Sequence, residues 1–394
     1  MSDFHQRGVI CTLSRLRDQP LAHLENDLLV NALNQPPALV LPSTWEDFSR
    51  PPFQQILDAL RDASWISQIV VSLNRASASE AHLAFQKLKA QEDRRLVLLW
   101  NDDPALTKLL PPGSSGKGLN LWAAIGWLIG EGHARTLITH DTDILNYQRE
   151  LPARLALPLL HPELGYSFVK GYYPRISGQL FGRVTRLFVG PLLRALVRVE
   201  GHSPLLDFLE SFRYPLAGEF GAGLKELEKI ALPAGWDLEV DLLCSVHRRL
   251  PPEKVAQVDL GANYEHKHQP AGSGLAPSGL TRLAAEIWQS LRNNLQREGL
   301  RMTPDFIQAM VRAYYKLAGE AVTRYHHVSI ANGLTYSIGQ EKALVAEFGQ
   351  VLLTESPSVP PALPAWAELA STDPERHVLL QKTLLTQRPT HESN

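Results

Sequence analysis

The first 150 residues alternate short apolar runs with helix-like stretches, and this rhythm constrains the fold more than any other feature of the sequence. The apolar runs lie at 38–42, 68–73, 95–100 and 136–139. Helix-like stretches separate them, at 52–63, 79–90 and 118–132. Neighbouring parallel strands need such crossovers, and strands covered on both faces lose their polar alternation. We therefore predict an α/β fold whose first half is a doubly wound, Rossmann-like, mainly parallel sheet that binds a nucleotide.

Two breaks rich in proline and small residues divide the rest of the chain, at 270–279 and 356–364. Such segments are typical of linkers or mobile loops. Between the breaks, the stretches 280–300, 304–325 and 340–353 have the spacing of amphipathic helices. We predict four regions: a helical lead-in over 1–35, a main domain over 36–270 with halves meeting at 150/151, a helical C-terminal extension over 271–355, and a Pro-rich joint and tail over 356–394.

Composition narrows the class of protein. With 44% hydrophobic and 20% charged residues and a formal charge of −2, the chain has the balance of a globular protein and no overall nucleic-acid-binding charge. Its longest apolar run, 119–130, is shorter than the roughly 20 residues that a membrane-spanning helix needs. Residues 1–20 carry charges and no apolar signal-peptide segment, and the only cysteines are Cys11 and Cys244. We expect a cytoplasmic protein with no membrane or nucleic-acid partner.

The strongest chemical signal is His140-Asp141-Thr142-Asp143, directly after the fourth predicted strand. Open α/β sheets bind ligands beyond the carboxyl ends of their strands, so both carboxylates are expected in that crevice. Oxygen ligands of this kind suit Mg²⁺ or Mn²⁺ held together with a diphosphate. A haloacid-dehalogenase-like phosphatase also uses Asp-x-Asp, but after its first strand and with Thr or Val where this chain has Leu145.

A glycine-rich loop with one lysine precedes this motif, at 112–118. Gly118 follows Lys117 where a P-loop needs Ser or Thr, so a P-loop is not predicted. Lys117 opens a predicted helix, and a lysine beside the backbone amides of a helix N-terminus is suited to contact a diphosphate. An ordinary exposed loop is the alternative.

The segment 170–199 carries six basic residues and no acidic residue. This local excess of positive charge indicates an anionic partner. Within the segment, Gly182-Arg183-Val184-Thr185 offers a guanidinium, a hydroxyl and a glycine backbone that suit a phosphate or carboxylate. One face of an amphipathic helix would collect arginines as well.

Two further segments place a carboxylate beside a glycine or an aromatic residue, Glu219 in PLAGE and Glu239 in GWDLEV. Downstream, His266 and His268 lie two residues apart and so share one face of an extended segment. A single histidine is more often structural, but beside an Asp-x-Asp site His266 becomes a third candidate metal ligand.

Taken in order, GKG, D-x-D, FVKGYY, GRVT, PLAGE, GWDLE and QVDLG resemble the glucosyl-3-phosphoglycerate synthase family of GT-A glycosyltransferases, over residues 39–269. The resemblance implies transfer of glucose from a nucleotide sugar, with UDP-glucose expected, to the 2-hydroxyl of 3-phosphoglycerate with retention. The product, glucosyl-3-phosphoglycerate, would serve synthesis of a glucosylglycerate-type compatible solute. A divalent cation, Mg²⁺ or Mn²⁺, and a homodimer built through the C-terminal helices are also implied.

The resemblance assigns site residues by position. Catalytic roles fall to Glu239, Asp143 and Lys117. Donor binding is assigned to Pro42, Glu46, Asn74, Lys117, Asp141, Thr142 and Glu239. Acceptor binding is assigned to Gly182, Arg183, Val184, Thr185 and His268, and metal binding to Asp143 and His266. The chain differs from the family in having LPSTWE where many members read PALNEE, and His268 where asparagine is common.

Other functions stay open at this stage. Glycerate in place of 3-phosphoglycerate, or a mannosyl or GDP donor, is compatible with the same motifs. A non-catalytic nucleotide-sugar-binding protein is a further alternative, which turnover of any nucleotide sugar would exclude.

Overall fold

The computed structural model describes residues 5–235, 237–261, 277–354 and 362–387. Their centre is an eight-stranded sheet with the strand order β1-β8-β6-β7-β5-β2-β3-β4. The strands are β1 (Cys11–Leu13), β2 (Pro37–Thr44), β3 (Gln68–Asn74), β4 (Leu96–Trp100), β5 (Thr136–Thr139), β6 (Phe168–Tyr172), β7 (Phe220–Gly223) and β8 (Val255–Asp259). β7 runs antiparallel to both of its neighbours, and the other pairs are parallel.

Helices cover both faces of the sheet and form the C-terminal part of the chain. In chain order they are α1 (Leu21–Ala32), α2 (Trp45–Phe48), α3 (Pro51–Leu60), α4 (Ala78–Lys89), α5 (Pro104–Thr107), α6 (Lys117–Glu131), α7 (Glu150–Leu160), α8 (Gly190–Glu200), α9 (Pro204–Ser211), α10 (Leu224–Leu227), α11 (Leu238–Arg249), α12 (Pro277–Arg297), α13 (Pro304–Ala331), α14 (Ile338–Val351), α15 (Trp366–Thr372) and α16 (Pro374–Thr386). A π-helix, Val184–Val189, leads into α8, and a 3₁₀ turn, Pro252–Lys254, precedes β8.

The predicted α/β fold with a helical C-terminal region is confirmed. The four predicted strands correspond to β2, β3, β4 and β5, and the helices between them to α3, α4 and α6. The chain moves outward from β2 through β3 to β4 and then returns to β5 on the other side of β2. This reversal places a crevice beyond the carboxyl ends of β2 and β5, where open α/β sheets bind their ligands.

Alternation along β2 divides the core into two layers. Ala38 and Val40 pack with α6 and the C-terminal helices on one face, and Leu39 and Leu41 pack with α3, α4 and α7 on the other. α6 is buried from Gly118 to Leu128 because it lies between the sheet and the pair α15–α16. The helix that begins with Lys117 is therefore held from both sides.

The ends of the chain contribute more structure than the sequence predicted. The lead-in contains α1, as expected, and also β1, which extends the sheet by pairing with β8. The tail contains α15 and α16, which pack on α6. Among the described residues, no helix combines the length and the apolar character that crossing a membrane would require.

Candidate active site

Residues at the carboxyl ends of β2 and β5 form the base of the crevice between these strands. β5 ends at Thr139, and Thr142 then donates its hydroxyl to the backbone oxygen of Pro42 at 3.2 Å. Pro42 lies in the part of β2 that extends beyond β5 and pairs with β3 only. These contacts fix the Asp-x-Asp segment against the end of β2, so that two of the predicted donor residues meet here.

Lys117 joins the two sides of the crevice. Its ammonium lies 2.5 Å from Asp141 Oδ1 and 3.4 Å from Glu239 Oε1. Three segments supply this cluster: the first residue of α6, the turn after β5, and the first turn of α11. The side chains of Lys117 and Asp141 are each 27% exposed, so the ion pair lies at the opening of the crevice and within reach of a ligand.

The carboxylates around Lys117 keep it charged. Burial alone would lower the pKa of its ammonium, but the carboxylates of Asp141, Glu239 and Glu219 outweigh that penalty and raise the pKa above its ordinary value. Lys117 therefore stays protonated at the N-terminus of α6, where the helix dipole also favours anions.

Two glycines allow this arrangement. A Cβ on Gly218 would lie 2.2 Å from Lys117 Nζ and 2.5 Å from Asp141 Oδ2, so only glycine leaves room for the ion pair. A Cβ on Gly118 would lie 1.9 Å from the backbone oxygen of Pro233, which packs against the start of α6. The glycines of the GKG and PLAGE segments are thus required by close packing.

A second, fully buried polar layer lies below the cluster. Lys170 donates to the backbone oxygen of Ala217 at 2.7 Å, and Tyr173 donates its hydroxyl to Glu219 Oε2 at 2.6 Å. Burial lowers the pKa of Lys170 to about 8, although the carboxylates of Glu239 and Glu219 partly oppose the shift. Burial likewise raises the pKa of Tyr173 well above its usual range.

The sequence pattern does not predict this buried layer. Lys170 belongs to the basic stretch and Glu219 follows a glycine, whereas their partners lie in the turn before β7 and directly after β6. The basic stretch does not form one surface either, since Lys170 is buried and Arg186 is held by the backbone oxygens of Phe181 and Leu180.

Asp143 lines a small cavity of about 120 Å³ beside the crevice, together with Thr142, Asp47 and Arg50. Arg50 forms an ion pair with Glu46, which the resemblance assigns to donor binding. The carboxylate of Asp143 also contributes to raising the pKa of Arg175, although burial and Tyr214 affect that group more. Asp143 thus places a carboxylate side chain at a cavity wall, and carboxylate oxygens are ligands that hard cations prefer.

His140 is unsuited to a charged role. It is completely buried, with its ring edge against Tyr147 at 5.6 Å. Burial lowers its pKa to about 3, which keeps the imidazole neutral. His266 and His268 lie outside the described residues. No group of three or more potential metal ligands occurs within the part of the chain that the structure describes.

Asn74 ends β3 and pairs in register with Thr44. It is 3% exposed, and its side-chain oxygen has no hydrogen-bond partner among the described residues. A buried oxygen without a donor costs free energy unless a ligand or water supplies one. Asn74 lies next to the end of β2, and its donor role stays a prediction.

The predicted acceptor segment lies elsewhere, at the start of the π-helix. Arg183 Nε donates to Glu341 Oε1 of α14 at 3.1 Å. The side chain of Val184 is buried in the core, so only its backbone could meet a ligand. Gly182 and Thr185 flank them and are partly exposed.

Comparison with known proteins decides the family. The glucosyl-3-phosphoglycerate synthase of Persephonella marina is 34% identical to this chain over 390 residues, which cover 95% of this chain and 96% of that protein. The chain belongs to the glucosyl-3-phosphoglycerate synthase family. This confirms the family expected from the ordered motifs, and no family model matches the chain.

Solved structures confirm the fold of this synthase family. The glucosyl-3-phosphoglycerate synthase of Mycobacterium tuberculosis, solved with Mn²⁺, UDP-glucose and phosphoglyceric acid, matches with a TM-score of 0.53 and 23% identity over 71% of this chain and 87% of that chain. The mannosyl-3-phosphoglycerate synthase of Rubrobacter xylanophilus matches with a TM-score of 0.56 and 21% identity over 75% and 83%. At these identities the likeness concerns the fold.

Proposed function

We propose that the protein transfers glucose from UDP-glucose to the 2-hydroxyl of 3-phosphoglycerate, with retention and with Mg²⁺ or Mn²⁺. One observation carries the proposal: Lys117, Asp141 and Glu239 meet within ion-pair distance at the ligand-binding crevice of a chain from this family. The carboxyl ends of β2, β3 and β5 supply the remaining donor contacts, through Pro42, Glu46, Asn74 and Thr142.

Lys117 is the residue that stabilises the leaving group. Breaking the bond between glucose and UDP leaves a diphosphate whose negative charge grows toward the transition state. An ammonium that is already fixed and charged at a helix N-terminus stabilises that charge without reorganising. Asp141 and Glu239 hold this ammonium in place, and the diphosphate would become an additional partner.

The metal would be held by Asp143, by His266 and by the donor diphosphate. Mg²⁺ commonly binds through one or two carboxylates plus substrate phosphates, so a single carboxylate at a cavity wall fits this manner of binding. When bound, the cation would neutralise charge on the diphosphate as a Lewis acid.

Glu239 orients the sugar and stabilises positive charge. Its carboxylate lies in the first turn of α11 and is mostly buried, 17% exposed, beside Lys117. A front-face transfer retains configuration: the departing phosphate oxygen accepts the proton of the acceptor hydroxyl while that hydroxyl bonds to the anomeric carbon. A carboxylate near the ring then stabilises the oxocarbenium-like charge, which is worth more in a partly dehydrated site than in water.

Arg183, with Gly182, Thr185 and the backbone of Val184, would bind the acceptor phosphate, and His268 would add a donor. A guanidinium can bind a phosphate through two parallel hydrogen bonds. A charge-assisted hydrogen bond is worth about 1.5–3 kcal/mol, which corresponds to about ten- to a hundred-and-fifty-fold in kcat/KM. We therefore propose that 3-phosphoglycerate is preferred over glycerate.

The test is a matrix of UDP-, GDP- and ADP-glucose and GDP-mannose against 3-phosphoglycerate and glycerate, with products analysed by NMR. We expect UDP-glucose with 3-phosphoglycerate to give the highest kcat/KM. Lys117→Ala is the matched inactive variant, and it should leave no turnover with any pair. Equal use of glycerate would refute the acceptor assignment, and a preference for GDP-mannose would refute the donor assignment.

We also propose that the protein is a cytoplasmic homodimer, as the family resemblance implies. The unpaired cysteines, Cys11 and Cys244, support a reducing compartment. Sedimentation equilibrium should give twice the 43.9 kDa mass of the chain, and the mass of a single chain would refute the dimer.

A further inference from the structure

Two arginines of the acceptor region share one buried carboxylate from the C-terminal extension. Glu341 Oε1 accepts from Arg183 Nε at 3.1 Å, and Glu341 Oε2 lies 3.4 Å from Arg186 Nη1. The Glu341 side chain is 5% exposed. A carboxylate removed from water in this way needs partners, and two partners of Glu341 lie in a segment more than 150 residues earlier in the chain.

The two arginines are used differently. Arg186 is 9% exposed; it also donates to the backbone oxygens of Phe181 and Leu180, and its guanidinium lies over the ring of Tyr325 at 4.7 Å. Arg183 is 39% exposed, and Glu341 is the partner that the described residues give its guanidinium. Arg186 therefore anchors the cluster, whereas Arg183 keeps its two terminal nitrogens for another acceptor.

The Arg183 side chain lies at an open space. Arg183 and Glu341 line a cavity of about 300 Å³ with the polar side chains of Gln179, Ser337 and Gln340. One wall is the loop before the π-helix and the other is the start of α14. The walls are joined because Thr335 donates both its backbone N–H, at 2.9 Å, and its hydroxyl, at 3.0 Å, to the oxygen of Gly178.

We propose that Glu341 is a positioning residue for acceptor binding: it holds Arg183 through Nε, so that both terminal nitrogens are directed at the phosphate of 3-phosphoglycerate. The inference rests on the proposed function and deepens it. It also gives the helical extension a role in the acceptor site, because α14 supplies Glu341, which fixes the orientation of Arg183.

The physical reason is the loss of side-chain freedom on binding. A free arginine must be immobilised when it binds a phosphate, whereas one already held at Nε has lost much of that freedom beforehand. Two arginines against one carboxylate also leave a net positive charge for the incoming anion. Glu341 therefore restrains Arg183 without neutralising the site.

The test compares Glu341→Gln with Glu347→Gln, a matched change on the same helix whose carboxylate contacts Thr281. We expect Glu341→Gln to raise KM for 3-phosphoglycerate roughly three- to tenfold, with less than a twofold change in kcat or in UDP affinity. Glu347→Gln should change none of these. Glu341→Asp keeps the charge and should give a smaller rise in KM, and it serves where the Gln variant fails to fold.

A double-mutant cycle separates positioning from general stability. In an Arg183→Ala background, Glu341→Gln should have less than a twofold effect on KM for 3-phosphoglycerate, because the residue through which it acts is gone. Independent effects of the two substitutions, or an equal loss of UDP affinity, would overturn the inference. If the unmodified protein transfers glucose to 3-phosphoglycerate and the Glu341 variants bind it normally, the inference alone fails. No transfer by the unmodified protein refutes the proposed function, and the inference with it.

Discussion

At the scale of single residues, the site is a small set of charges held at fixed distances. Lys117 lies between two carboxylates, so its position is determined from both sides. The buried layer of Lys170, Glu219 and Tyr173 supports this cluster from below. Such preorganised charge is the usual source of transition-state stabilisation.

Asp143→Asn tests the proposed metal ligand. The amide keeps the shape of the side chain but loses the charge that a hard cation requires, so kcat/KM should fall roughly 10²- to 10³-fold. The measurement is the initial rate across a Mg²⁺ titration. The control is Asp58→Asn, at an exposed position of α3. Chelator should abolish turnover of the unmodified protein, and Mg²⁺ or Mn²⁺ should restore it. Near-normal rates for Asp143→Asn at saturating Mg²⁺ would show that Asp143 is not a metal ligand.

Gly218→Ala tests whether the packing around Lys117 serves function. The new methyl group would displace the Lys117–Asp141 pair, and UDP affinity should fall about ten- to a hundredfold. The fold should tolerate the change because the ammonium ends a flexible chain, so unfolding free energy should shift by less than about 1 kcal/mol. Isothermal titration with UDP measures the first effect and urea unfolding the second. Gly223→Ala is the control, since its Cβ would meet nothing within 4 Å.

Retained UDP affinity in Gly218→Ala would show that the ion pair does not position Lys117 for the diphosphate.

The sequence predicted Lys117, Asp141 and Glu239 through the order of their motifs, and the structure brings them together. The sequence could not predict the role of Glu341, because Arg183 and Glu341 meet only after α13 and α14 have packed against the π-helix. A lone glutamate in an amphipathic helix carries no signal of a buried partner.

At the scale of elements, α6 connects the site to the C-terminal tail. Trp366 of α15 stacks on Trp122 of α6 with ring centroids 4.3 Å apart. Its indole N–H donates to the backbone oxygen of Trp122 at 2.9 Å. In return, the Trp122 indole donates to the backbone oxygen of Pro364 at 2.8 Å. A Cβ on Gly126 would lie 1.9 Å from the Trp366 ring, so the helix and the indole fit closely.

Trp366→Ala should therefore destabilise the protein by about 3–5 kcal/mol, the usual cost of removing a buried tryptophan. Trp366→Phe should cost less, because much of the stacking area remains, although part of the ring and the N–H are lost. The measurement is urea unfolding followed by tryptophan fluorescence and circular dichroism. Leu379→Ala, at an exposed position of α16, is the control, and it should change the free energy of unfolding by less than about 0.5 kcal/mol. An equally small effect of Trp366→Ala would mean that the tail does not stabilise α6.

Elements with continuous apolar runs were predictable, and short or glycine-rich elements were not. β2, β3 and β4 are strands of 8, 7 and 5 residues, and each contains a short apolar run. β1 has only 3 residues, and β7 reads Phe-Gly-Ala-Gly, so neither has a strand pattern of its own. Their strand structure comes from pairing with β8 in the first case and with β5 and β6 in the second. Tertiary pairing overrides local propensity in both.

At the scale of the whole molecule, the strand order is what creates the site. The reversal between β2 and β5 opens the crevice, and antiparallel β7 brings Gly218 and Glu219 to its edge. The sequence indicated a parallel sheet but not this order, since β6 and β7 come from a stretch with irregular spacing. The C-terminal extension then places α14 beside the predicted acceptor segment, 182–185. The proposed donor and acceptor sites therefore depend on the same continuous fold.

The most direct test of the proposed transfer follows UDP-[1-¹³C]glucose with 3-phosphoglycerate and Mg²⁺ by NMR. We expect one labelled product with α configuration, formed in step with UDP. Its anomeric carbon should couple through oxygen to the proton on C2 of the glycerate. Lys117→Ala should form none. Labelled free glucose as the sole product, or a faster reaction with glycerate than with 3-phosphoglycerate, would contradict it.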